Sequence, residues 1–240
     1  MKKETVKDTS PYAPKRRQKL TLELAIKELP WTERQQEFIR MATNKNVNIV
    51  MQRGPAGSSK TLMAVFCLLQ RLKEKKITQI AYSRVPVESC VHGVGFLKGE
   101  LQAKMQPYLE PCLEKLNEFL PPSQVSALLN NDHVAGIPVG FLRGMNITDG
   151  LIFDEAQNAS THDLLLAMSR MARFSSLFIC ADEKQIDVKK SQSGFSKVFE
   201  AFSTDEAKKH GIYTWEWQNK DIMRSPHLAF IVETFESLST

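Results

Sequence analysis

Arg53-Gly54-Pro55-Ala56-Gly57-Ser58-Ser59-Lys60-Thr61 stands between two apolar segments, Val47-Asn48-Ile49-Val50-Met51-Gln52 before it and a stretch reaching Leu72 after it. The first segment is short and rich in branched residues; the second runs too long for a strand. The order reads strand, glycine loop, helix. From Gly54 to Thr61 the loop follows the phosphate-binding pattern G-x-x-x-x-G-K-[ST] except at its second required glycine, which is Ser59. The physical logic is intact. The loop runs Gly54, Pro55, Ala56, Gly57, Ser58 and Ser59; its successive backbone N–H groups, of which Pro55 alone supplies none, converge with a helix N-terminus on phosphate oxygens, Lys60 supplies a mobile positive charge, and the Thr61 hydroxyl is placed for Mg²⁺. Ser59 adds a β-carbon and a hydroxyl beside the phosphates, which is expected to narrow the loop or slow turnover.

Leu151-Ile152-Phe153-Asp154-Glu155 is the second half of the reading, an apolar strand ending in adjacent acids. Asp154 is expected to support Mg²⁺ and Glu155 to orient the water that attacks a γ-phosphate. An acidic helix cap accounts for Asp154 alone, but for neither the pair nor the upstream loop. Further buried strands are expected at Ile77 to Ser83 and Ser176 to Ala181. Helices are expected at Thr21 to Glu28 (ended by Pro30), from Thr32, at Glu100 to Phe119 (interrupted by Pro107 and Pro111) and at Thr161 to Arg173. Thr32 and Gln35 have the spacing of a capping box. Pro121-Pro122 and Asn130-Asn131-Asp132 mark loops. Alternation of this kind implies an α/β protein with a mostly parallel sheet and helices on both faces.

The chain has 240 residues, which at about 150 per domain favours one α/β core with a short extension. Apolar residues make up 42 % and charged residues 25 %, which argues against disorder and against a disulfide scaffold. The longest apolar run, Leu62 to Leu69, is too short to cross a membrane, and the charged N-terminus lacks a signal-peptide pattern, so the expected location is the cytoplasm. Net charge is +5, compatible with nucleic acid but too small to argue for it alone. Cys67, Cys90, Cys112 and Cys180 form no C-x-x-C pair, and the five histidines (His92, His133, His162, His210, His227) no i, i+4 pair, so no structural metal is expected.

The acid-pair block continues as Ala156-Gln157-Asn158, and with it the sequence resembles the PhoH family, RecA-like P-loop ATPases related to superfamily 1 helicases, over about residues 30 to 235. The matching blocks come in order: Thr32-Glu33-x-Gln35, Gly54 to Thr61, Ser83-Arg84-Val85-Pro86 leading to Gly95-Phe96-Leu97-x-Gly99, Met105-x-Pro107-Tyr108, Phe141-x-Arg143-Gly144, the acid pair, Ser169-Arg170 and Asp182-x-x-Gln185-Ile186-Asp187. The short chain and diverged loop look more like a bacteriophage-encoded member, which places it in host cytoplasm. The resemblance implies ATP and Mg²⁺ as cofactors, residues 1–30 as an N-terminal extension and 31–240 as the ATPase domain.

It also implies roles. Gln35 reads the adenine edge, although the capping box accounts for it equally. Gln185 senses the γ-phosphate, against a plain turn residue. Arg143, Arg170 and Arg224 sit in matching blocks, and the resemblance makes any of them a candidate arginine finger on a neighbouring subunit's ATP, with surface salt bridging as the alternative for each. Ala181 and Ser59 depart from the family pattern, so binding is expected to survive better than turnover. The PIN ribonuclease domain of some relatives needs more chain than precedes the phosphate loop. One RecA-like lobe needs a partner to close around nucleotide, and a head-to-tail contact that closes makes a ring, so a homo-oligomer, most plausibly a hexamer, is expected. The expected substrate is single-stranded RNA or DNA, with RNA favoured. Lys15, Arg16, Arg17 and Lys19 support that reading mildly or form a solvated tail, and Trp215 and Trp217 read as core before stacking platform. Two other classes share the phosphate loop. A small-molecule kinase lacks its arginine-rich lid here; an ATP-gated binding module with little hydrolysis stands as the alternative function.

Overall fold

The computed structural model describes residues 19–85, 101–189, 191–223 and 225–238. Lys15, Arg16, Arg17, the block from Pro86 to Gly99 with Cys90 and His92, and Arg224 lie outside the described residues.

Six strands form one sheet in the order β3-β2-β4-β5-β1-β6, where β1 is Ile49–Arg53, β2 Ile80–Arg84, β3 Val134–Gly136, β4 Gly150–Asp154, β5 Ser176–Ala181 and β6 Ile212–Glu216. All five pairings are parallel, so every strand delivers its C-terminal end to the same edge. Strands β4 and β5 are buried along their whole length and β1 up to partly exposed Arg53, as a parallel sheet covered on both faces requires. Alternate residues feed two cores. Val50, Ile80, Tyr82, Ile152, Phe178 and Cys180 join one; Ile49, Met51, Ala81, Leu151, Phe153, Leu177 and Ile179 join the other.

The first core lies under α1 (Glu33–Ala42), α2 (Lys60–Lys73), α3 (Leu101–Phe119) and α4 (Pro122–Asn130), the second under α5 (Thr161–Ser169) and α6 (Phe195–Phe202). A short α7 (Asp205–Lys209) leads into β6, and α8 (Pro226–Leu238) closes the described chain. The doubly covered α/β architecture read from the sequence is the one observed. Among the described residues no helix is long and apolar enough to cross a membrane.

Several local expectations are corrected. Residues 21–28 are not helical; they run as an extended strap across α3 and α4, with Lys27 N donating to Phe119 O at 2.8 Å and Gln124 bonding the backbone of Glu23 and Ala25. The cause is in the pattern. Leu20, Leu22, Leu24 and Ile26 recur every second residue, so only an extended chain turns them all inward, and Leu20 and Leu24 are buried. The helix predicted to reach Arg173 ends at Ser169, because Arg170 O accepts from Ile147 N and Met171 bridges Ile147. Helix α3 runs unbroken through Pro107 and Pro111, and Pro122 opens α4 at its first turn, where its missing N–H costs nothing.

Candidate nucleotide site

The loop after β1 turns on two tight constraints. A β-carbon at Gly54 would stand 2.6 Å from Trp217 Cβ, so only glycine fits beneath the Trp217 backbone, whose N–H donates to Arg53 O at 2.8 Å. Ser59 is left-handed, with φ +70°. That conformation explains why glycine is the usual residue there; a β-carbon in it costs about 1–2 kcal/mol. Ser59 caps α2 without using its side chain, so the first N–H groups of a fourteen-residue helix are left facing the loop. A helix end of this kind attracts phosphate.

Lys60 Nζ spans the loop, donating to Gly54 O at 2.7 Å and Pro55 O at 2.8 Å. Burial lowers the pKa of its ammonium, while Asp182, Asp154 and Glu155 act to raise it. Behind it Gln52, wholly buried in β1, donates to Lys60 O at 2.9 Å and to Cys180 Sγ at 3.2 Å and accepts from Trp217 Nε1 at 2.9 Å. One amide thus ties the start of α2 to β5 and to the end of β6. Arg53 anchors the loop from its other side through Glu200, Glu216 and Glu183.

Strand β5 separates β1 from β4, yet Asp154 reaches the loop: Thr61 Oγ1 donates to Asp154 Oδ2 at 3.2 Å. Tyr82 OH donates to the same oxygen at 2.7 Å, and Glu155 N to Oδ1 at 3.1 Å. Burial drives the Asp154 carboxyl above its ordinary value, and the Tyr82 bond opposes that rise. The buried Tyr82 phenol is itself pushed well above its usual range, first by burial and then by Asp154, so it stays a neutral donor. A hydroxyl and a carboxylate meeting here suit Mg²⁺, which takes one or two protein oxygens beside phosphate and water. Thr61 and Asp154 are the residues that would hold it. Among the described residues no three acidic, histidine or cysteine side chains gather into a larger metal cluster.

Glu155 is also left-handed, at φ +55°, and its carboxylate is held on both sides: Arg84 Nη2 lies 3.3 Å from Oε1, and Gln157 Nε2 donates to Oε2 at 2.6 Å. Gln157 is fully buried. It also donates to Gln185 O at 3.1 Å and accepts from Asp182 N at 3.0 Å, so it joins the ends of β4 and β5. Asn158 and Asp187 exchange two more bonds, at 2.9 and 3.2 Å. The blocks beginning at Asp154 and at Asp182 are therefore one bonded unit.

The remaining predicted residues are placed as follows. Gln35 is buried and completes the capping box, its Oε1 accepting from Thr32 N at 3.0 Å. Gln185 is exposed and enters the network through its carbonyl. Arg143 is exposed beside His162, Nη2 to Nε2 3.3 Å. Arg170 sits at the opposite edge of the sheet, where Ile147 enters toward β4, so it cannot reach the loop of its own chain. Trp217 is buried and Trp215 packs on Phe38 at 5.5 Å, so both are core. Reading the sequence missed Gln52 and Tyr82, and it met Arg84 only as part of a matching block, with no role attached. The one signal for Gln52 was an amide closing an otherwise apolar strand.

A phosphate-binding loop on a parallel sheet, joined to an acid pair one strand beyond its neighbour, defines a P-loop NTPase. The family model described as PhoH-like protein matches residues 28–236, and the chain belongs to that family. The PhoH-like protein of Synechocystis sp. is 29 % identical over 206 residues, 85 % of this chain and 61 % of that protein. Its counterpart in Bacillus subtilis is 31 % identical over 204 residues, 84 % of this chain and 62 % of that one. Protein PhoH of Escherichia coli is 26 % identical over 178 residues, 72 % of this chain and 49 % of its own length. The chain thus spans less than two thirds of these relatives. Among solved structures, Pif1 helicase from Candida albicans aligns over 80 % of this chain and 40 % of that one at 16 % identity and TM-score 0.40, a likeness too loose to carry an argument.

Proposed function

We propose that this chain binds ATP with Mg²⁺, hydrolyses it, and uses the cycle to move along or separate single-stranded nucleic acid, RNA in preference, as a homohexameric ring in the cytoplasm. The observation that carries the reading is the Thr61–Asp154 hydrogen bond at 3.2 Å, which brings the phosphate loop and the acid pair to one point. Mg²⁺, when bound, supplies charge that neutralises the phosphates. The chain's own residues do the rest. Lys60 leaves the loop carbonyls for phosphate oxygen, Glu155 orients the attacking water, and Gln185 answers to the γ-phosphate. Residues 31–240 act as the ATPase domain and 1–30 as its extension. Gln35 meets the adenine edge while capping α1. The position of Arg170 at the far edge of the sheet supports a role only toward another copy's nucleotide; Arg143 and Arg224 are the other fingers considered.

Steady-state ATP hydrolysis tests the reading. Glu155→Gln is expected to lower turnover about a hundredfold while ATP still binds, and Lys60→Ala to weaken binding as well. Salt-sensitive oligonucleotide binding and a mass near six copies with ATP complete the expected result; a monomer under every condition removes the ring. The left-handed Ser59 favours a second reading, an ATP-gated binding module. Equal ATP binding by all three proteins with no turnover in any would establish that module instead.

A further inference from the structure

The two acids at the end of β4 are held by the same neighbouring strand in unlike ways. Tyr82 and Arg84 stand two positions apart on β2, so their side chains leave the same face of the sheet, and the register sets Arg84 directly beside Asp154. Tyr82 grips Asp154 from within the core at 2.7 Å. Arg84 grips Glu155 from the rim: the contact is a single one of 3.3 Å, with side chains 37 % and 29 % exposed. A pair that open to solvent is screened and easily exchanged for another anion. The second grip on Glu155, from buried Gln157, is shared with the Asp182–Gln185 turn and is not open to an outside competitor.

We infer that Arg84 is a positioning residue that restrains Glu155, and that a phosphodiester of a bound single strand draws the guanidinium away, so that the carboxylate, left with the Gln157 amide as its one remaining hold, turns toward the attacking water. The inference rests on the ATPase reading above and adds to it the means by which strand binding raises turnover. Guanidinium matches phosphate and carboxylate alike with paired N–H donors, so the exchange trades one charge-assisted bond for another. Its source is local, because β2 ends at Arg84 on the same sheet edge as the loop and the acids. The left-handed backbone of Glu155 gives the freed side chain a reason to move, since the conformation persists only while its surroundings hold it.

The test compares wild type, Arg84→Ala, Arg84→Lys, Glu155→Gln and Arg84→Ala/Glu155→Gln for ATP turnover with and without a homopolymeric single strand, alongside thermal unfolding and ATP binding. Arg84→Ala is expected to raise strand-free kcat about threefold to fivefold, the span of a partly exposed ion pair, with KM for ATP within about twofold of wild type and no further stimulation by the strand. Arg84→Lys keeps the charge and is expected to retain part of the stimulation. The double variant is expected to turn over as slowly as Glu155→Gln alone, with no gain from removing Arg84; a threefold to fivefold gain that persists without the Glu155 carboxylate overturns the inference. A strand-free kcat that is unchanged or lower in a folded, ATP-binding Arg84→Ala, with stimulation intact, overturns the inference and leaves the ATPase reading standing. Absence of Glu155-dependent turnover in wild type and Arg84→Ala alike overturns both.

Discussion

Strand β4 ends in one aspartate and is directly preceded by another, helix α2 has a cation in its first turn and one in its last, and the two pairs live in opposite surroundings. At the rear edge Asp149 is saturated by fixed donors: the Thr78 and Gln79 N–H groups and the Thr78 hydroxyl on one oxygen, and the Thr148 hydroxyl on the other. Arg71, in the last turn of α2, donates to Ala42, Asn44 and Val47 carbonyls, each at 3.2 Å, and so closes the C-terminal end of α1, where carbonyls concentrate negative charge. At the front edge Asp154 and Lys60 face one another's neighbours. Asp154 is held by hydroxyls, and Lys60 by loop carbonyls within the field of three carboxylates. Rear charges are tied mainly to backbone that does not move. Front charges are tied in part to the Thr61 hydroxyl and the loop carbonyls, the groups that the proposed triphosphate and its metal would replace.

The sharpest way to break that comparison is to remove a rear charge. Asp149→Ala leaves two backbone N–H groups and two hydroxyls without their acceptor, and is expected to cost about 3 kcal/mol or more in urea denaturation. Arg71→Met is expected to cost about 2–3 kcal/mol, since it uncovers three carbonyls while sparing the burial penalty that lowers the pKa of this guanidinium. Both variants are expected to bind ATP normally while folded. Weakened ATP affinity in the folded protein would show that the rear edge is not merely structural.

This division was half legible in the sequence. Gly54 to Thr61 and Asp154-Glu155 announce themselves because each is a contiguous run whose chemistry depends on near neighbours, and the capping box at Thr32 is read for the same reason. Gln52, Tyr82 and the role of Arg84 escaped because their meaning depends on register: Arg84 lies beside Asp154 only because β2 pairs with β4, and Gln52 meets Trp217 only because β6 lies next to β1. Nothing local reports such partners. Residues 21–28 read as a helix for a different cause, since helix-forming residues there conceal a two-residue period that is visible on a stricter count.

At the front edge the same operation is expected to have the opposite sign. Asp154→Asn, with its one oxygen turned to Thr61 and Tyr82, keeps those two bonds, gives up the one from the Glu155 N–H, and removes a charge that burial disfavours. At neutral pH and without Mg²⁺ the variant is expected to gain about 1–2 kcal/mol, a rise of a few degrees in Tm, and to lose Mg²⁺-dependent turnover. Stability bought by disabling a site is the signature of a group placed for chemistry. A loss of stability here would class Asp154 with Asp149.

The smallest effect isolates the loop itself. Ser59→Gly relieves a left-handed β-carbon worth about 1–2 kcal/mol, but glycine returns roughly 0.5–1 kcal/mol through the greater freedom of the unfolded chain, so the net gain expected is about 1 kcal/mol or less. Lys75 is left-handed too, at φ +58°, in an exposed turn after α2 remote from the phosphate loop, and Lys75→Gly should gain a similar amount. The two variants therefore share a backbone effect and differ only in what the side chain faces. If turnover rises in Ser59→Gly and not in Lys75→Gly, the serine acts on the phosphates through its own atoms. Equal turnover in both would reduce Ser59 to a tolerated strain, with the loop's N–H groups already where a glycine would put them.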